Sequence, residues 1–122
     1  MKPALVEVYP HVSLLNLSGS RTRLPYKAAK TTGYWPNTAR DERRRRVRDQ
    51  WQLILDKLGN DIDDVPQAFD ISSAFETTTL NALKPFEDAL DAMVCAWSGY
   101  RYSIGKAMPY GDATAAIWVP TS

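Results

Sequence analysis

Two aspartates three residues apart, Asp88 and Asp91, interrupt the apolar pattern of segment 87–100. Ala89, Leu90, Met93, Val94, Ala96 and Trp97 recur there at helical steps. Residues three apart on a helix share a face, so two like charges would stand side by side next to the core. A third carboxylate, Glu7, lies between Val6 and Val8 in a strand-like stretch, where glutamate is disfavoured. A buried, unpaired carboxylate is costly. Protonation, an arginine partner or a bound cation would each remove that cost. One divalent cation would relieve all three acids together, since Mg²⁺ and Mn²⁺ take oxygen ligands. The chemistry that needs such a cradle is phosphoryl transfer, in which the metal binds phosphate and activates water. The expected catalytic and metal-ligating set is therefore Glu7, Asp88 and Asp91. Plainer accounts stand beside it. Asp88 suits the first turn of a helix, where the dipole favours acids, and Glu7 could pair with an arginine.

A second group could hold phosphate. The stretch RDERRRRVRDQW (40–51) is densely basic. Asp41 and Glu42 can pair with Arg45 and Arg46 at the four-residue step, which leaves Arg43, Arg44 and Arg48. These three are candidate phosphate contacts, giving position without sequence specificity; the alternative is a solvated helix face. His11, the single histidine, follows the strand and could orient water or contact phosphate, or simply start a helix. One histidine and one cysteine exclude the usual zinc sites. Cys95 reads as a small core residue. Tyr34 and Trp35 could stack on bases or anchor their loop.

The elements that must position these groups follow from pattern and punctuation. ALVEVYP (4–10) reads as a covered strand ended by Pro10, and HVSLLNLSG (11–19) as a short helix closing at Gly19. Residues 20–36 read as a long loop, a kind that is often functional. A strong helix follows, capped by Asn37 or Thr38 with Thr38-x-x-Asp41 as a capping box. Its apolar stripe is Val47, Trp51, Ile54 and Leu58, and Gly59-Asn60 stops it. Residues 61–76, acidic and broken by Pro66, suit short helical turns. The aspartate helix starts near Lys84-Pro85 and runs to Tyr102 or Ser103. MPYGD (108–112) reads as a turn and AAIWVP (115–120) as a second strand.

The fold class is α/β, with about two strands and three to four helices. Two strands alone make a poor sheet, so part of a larger sheet is expected elsewhere. The chain has 122 residues, 44% of them hydrophobic and 11% aromatic, which suits one globular domain. A net charge of +1 confines any nucleic-acid signal to a local patch. No apolar run approaches a membrane span. A single cysteine and no signal-peptide pattern make the cytoplasm the expected compartment.

VEVYPHVSLLNLSG, RLPYK and DALDAMVCAWSGY, followed by Gly105, Gly111 and IWVP, resemble the C-terminal half of the domain of unknown function 429 family. That family is described as predicted nucleases with an RNase H fold. The arrangement is also similar to the Holliday-junction resolvases, in which a strand glutamate and a late helical D-x-x-D hold the metals. The resemblance implies an RNase H-like, metal-dependent nuclease, with Glu7 as the strand glutamate and Asp88 and Asp91 as the helix pair. It adds Lys27 of RLPYK as a phosphate contact. Members of the fold begin with three hairpin strands, the first of which carries a further aspartate. Residues 1–122 would then be a partial domain lacking that aspartate, with the 4–9 strand edge open to a missing half or a second copy. The alternative function is a non-catalytic interaction module that pairs through this edge.

Overall fold

A computed structural model of the chain describes residues 7–63, 65, 69–77, 79–111 and 116–121. Among them are five α-helices and two strands, an α/β arrangement. The helices are α1 (Pro10–Ser18), α2 (Thr31–Tyr34), α3 (Arg40–Leu58), α4 (Ile71–Thr77) and α5 (Lys84–Ser103). The strands are β1 (Ala107–Gly111) and β2 (Ala116–Pro120), paired antiparallel with Met108 opposite Val119 and Tyr110 opposite Ile117. No helix among the described residues is long and apolar enough to cross a membrane.

The two long helices form where their apolar stripes predict them. α3 buries Val47, Trp51, Ile54, Leu55 and Leu58 along one face. α5 buries Leu90, Val94 and Trp97 on a matching stripe, with Pro85 in its first turn as expected. Leu14 of α1, Tyr26 of the following loop and Phe69 and Phe75 complete the same core. Trp51 sits at its centre, with the Phe75 ring edge-on at 5.0 Å. α1 crosses α5 where small side chains allow close approach. There the buried Ser98 hydroxyl lies 2.8 Å from Ser13 Oγ and 3.0 Å from the Val94 carbonyl. Ser98→Ala leaves Ser13 without this partner and should cost about 1 kcal/mol, read as a lower urea midpoint with an unchanged m-value.

Several local expectations need correction. Segment 108–111 belongs to β1 and is not a turn. It pairs with β2 along its whole length, and Pro109 is tolerated because β1 is an edge strand. Gly111, at φ 144°, supplies the backbone freedom where β1 ends. Pro10 starts α1 instead of ending a strand, since its missing N–H is harmless at the first helical position. Of segment 4–10, residues 4–6 lie outside the described residues, so the open strand edge is not described either. Glu7 makes one parallel bridge to Ile117, its carbonyl accepting the Trp118 N–H at 2.9 Å. Gly19 closes α1 at φ 75°, as expected. The 20–36 loop contains a 3₁₀ turn (Ala28–Lys30) and α2. Ala39 is the N-cap of α3, and no side chain caps it. The Thr38 hydroxyl bonds the Pro36 carbonyl instead, and Asn37 takes a left-handed φ of 61° that asparagine tolerates.

Candidate carboxylate site

The site is built from α5 and the segment 24–28. Glu87 and Asp91 are four residues apart, so they point from one helix face. That face meets Tyr26, Lys27 and Ala28. The segment is held in place because Leu24, Tyr26 and Ala28 are buried. It is also held because the Trp51 indole N–H donates to the Tyr26 carbonyl at 2.7 Å.

Each carboxylate has defined partners. Asp91 Oδ1 accepts the Tyr26 phenol O–H at 2.6 Å, and Oδ2 accepts Lys27 Nζ at 2.7 Å. Glu87 is 3% exposed and accepts the Ala28 backbone N–H at 2.8 Å. Lys27 and Lys84 reach its other oxygen at 3.4 and 3.2 Å. Asp88 is exposed and pairs with Lys84 at 2.9 Å. Oxygens of Glu87, Asp88 and Asp91 all lie within 4.8 Å of one another. With two lysines against three acids, one negative charge is uncompensated.

The electrostatics follow from this contact set. Burial pushes the Tyr26 pKa up, and the hydrogen bond and charge of Asp91 push it further, so the phenol stays a donor. Burial opposes the charge on Lys27, but Asp91 and then Glu87 outweigh it and the pKa is raised. A raised folded-state pKa means that Lys27 contributes stability below its unfolded pKa, about 10.5, and loses it as pH climbs through the folded value. Wild-type protein should therefore lose stability more steeply than Lys27→Met above that pH, measured by urea unfolding across the alkaline range. Burial lowers the His11 pKa, Arg23 and Lys27 lower it further, and Asp91 opposes them. This lowering favours the neutral imidazole at pH 7. Its ring stacks edge-on against Tyr26 at 5.3 Å, and its Nδ1 is buried without a partner among the described residues. Burial raises the Cys95 thiol pKa, with Asp91 adding to it, which leaves it unreactive.

The residues expected from sequence separate into three places. Asp88, Asp91 and Lys27 come together on α5 and its facing loop, and His11 stacks beside them on Tyr26. Glu7 is exposed at the β2 bridge and does not belong to the convergent carboxylate group. It has no ion-pair partner among the described residues. Arg43, Arg44 and Arg48 are not left over. Arg43 bonds the Thr38 carbonyl, Arg44 bonds the Phe75 carbonyl, and Arg48 reaches Ser72 Oγ at 2.9 Å, so the last two strap α3 to α4. Glu42 alone takes both Arg45, at 2.6 Å, and Arg46, at 3.1 Å. Tyr34 and Trp35 pack edge-on against each other, and Arg46 lies over the Trp35 ring. Glu87 and Tyr26 are the members that sequence reasoning missed. The four-residue step from Glu87 to Asp91 was a visible signal, and Tyr26 is the neighbour of Lys27 in RLPYK.

The family described as Protein of unknown function (DUF429) matches residues 1–115. The chain belongs to that family. No curated protein and no solved structure matches it. The segments that carry the site of this DUF429 chain, 24–28 and 84–91, both fall inside the matched region.

The donor set fits a hard divalent cation in type, because all three groups are carboxylates that converge in one small volume. Lys84 is the movable obstacle. Its side chain is 62% exposed, and its ammonium stands between Glu87 and Asp88, where a metal ion would neutralise the same charges.

Proposed function

We propose that this DUF429 protein is a metal-dependent nuclease of RNase H-like fold that hydrolyses nucleic-acid phosphodiesters. The observation that carries it is the convergence of Asp88 and Asp91 with Glu87 inside 4.8 Å, beside Lys27 and with the His11 ring against Tyr26. Asp88, Asp91 and Glu87 would hold Mg²⁺ or Mn²⁺. When bound, the ion would lower the pKa of a coordinated water and neutralise charge on the leaving oxygen. Lys27, bonded to Asp91, would exchange that carboxylate for a phosphate oxygen, adding positive charge where the substrate is most negative. The His11 imidazole, whose neutral form burial favours, would take a proton from an attacking water. Tyr26 would fix the orientation of Asp91 through its 2.6 Å hydrogen bond. Glu7 enters through the family resemblance, and Glu7→Gln tests whether it takes part.

A second reading is favoured by a specific feature. Both oxygens of Asp91 and both of Glu87 already accept protein hydrogen bonds or ion pairs. A clasp satisfied in this way would need no metal, and the chain would be a non-catalytic interaction module.

Manganese titration by calorimetry, paired with cleavage assays on branched DNA, single-stranded DNA and RNA, separates the two. Saturable uptake that is lost in Asp88→Asn, together with Mn²⁺-dependent cleavage, supports the nuclease. Neither uptake nor cleavage by the folded protein leaves the interaction module.

A further inference from the structure

We infer that a second cleft, beside the N-terminus of α3, binds a backbone phosphate of a single-stranded nucleic acid next to the phosphate held at the carboxylates. This rests on the nuclease reading above and names the path of its substrate. The cleft has a volume of about 690 Å³, within the range of small-ligand sites. Arg40, Arg43 and Arg44 of α3 line it, together with Thr31 and Thr32 of α2.

Two of these arginines have unused capacity. Arg40 is exposed and has no ion-pair or hydrogen-bond partner among the described residues. Arg43 spends one terminal nitrogen on the Thr38 carbonyl, while its Nε is buried and unpartnered. A buried N–H without an acceptor is unfavourable, so turning the Arg43 side chain towards a phosphate in the cleft would be favoured. Guanidinium groups match phosphate oxygens in two-point geometry. Arg44 is held over the Phe75 ring and against its carbonyl, which fixes its charge at the cleft wall without consuming it. Asp41 and Glu76 also line the cleft and oppose an anion. Three positive groups against two negative ones still leave it cationic.

Ala28 ties the cleft to the carboxylates. It lines the cleft, and its N–H bonds Glu87. A strand crossing Ala28 would therefore run from the Lys27 side of the carboxylates towards the arginines of the cleft. A flexible single strand suits this path better than a duplex, whose stiff backbone has to match a groove in shape.

The test is binding of a fluorescein-labelled oligothymidylate by anisotropy, in EDTA, across a salt series. Arg40→Glu should weaken binding about tenfold, and each lost phosphate contact should reduce the salt slope by about 0.7. Glu76→Gln should tighten binding, and being at an exposed position it should leave the fold intact. Arg43→Gln should match Arg40→Glu if it folds; if it does not, the other two variants decide. Unchanged affinity and slope in both Arg40→Glu and Glu76→Gln would overturn the inference. Binding with these responses but no cleavage in Mn²⁺ would sink the nuclease and leave the cleft standing. Cleavage with an unaltered salt slope would do the reverse.

Discussion

Asp91→Asn should reduce Mn²⁺-dependent cleavage by at least about a hundredfold, the upper end of what loss of a supporting group around a metal costs. The substitution keeps the volume and removes the charge that faces Lys27 at 2.7 Å. It also leaves Tyr26 with a weaker acceptor. A stability loss of about 1 to 2 kcal/mol should accompany it, because a partly buried ammonium then lacks its main partner. The two effects can be told apart in a double-mutant cycle. Lys27→Met in the Asp91→Asn background should recover much of the stability, since both charges are then gone. It should recover none of the cleavage. Activity that tracks stability across the four proteins would mean that Asp91 is only a clasp, and full activity in Asp91→Asn would remove the site altogether.

The largest effect on stability is expected at Glu87. Its side chain is 4% exposed, and it holds the Ala28 N–H and reaches Lys27 as well. Glu87→Gln keeps one acceptor oxygen but loses the charge and half of the acceptor capacity. Breaking a buried pair from one side typically costs about 3 to 5 kcal/mol. Lys27 retains Asp91 as a partner, so the lower end, about 3 kcal/mol, is expected here. Glu87→Leu should cost more than Glu87→Gln, because it also strands the Ala28 amide. Urea unfolding of the three proteins measures both steps. A Glu87→Gln protein as stable as wild type would show that the buried ion pairs contribute nothing net.

α3 and α5 were legible in the sequence because their apolar residues recur at a helical period and because Gly59 and Pro85 punctuate them. The site was half legible. Asp88 and Asp91 stood out as acids inside an apolar pattern, whereas Glu87 looked like an ordinary acid at a helix start. Its burial depends on the Ala28 amide, which no periodicity reveals. The 24–28 segment has no repeat of its own, and its conformation comes from Trp51 and from α5. β1 was read as a turn since Pro109 and Gly111 are turn formers, and pairing with β2 overrode that preference. The arginine run was legible only in part. Its charges were visible, but the carbonyls of Thr38 and Phe75 that engage them were not.

The 24–28 segment acquires its anchors at very different distances along the chain. Trp51, which bonds Tyr26, lies 25 residues downstream, whereas the acids that bond Tyr26, Lys27 and Ala28 lie 59 to 65 residues away. During vectorial synthesis the indole therefore leaves the ribosome well before the acids do. Until α5 emerges, Lys27 and the Ala28 amide can only be hydrated. Closing the longer loop carries the larger entropic cost, so the acidic pocket should be among the last parts of the molecule to become ordered.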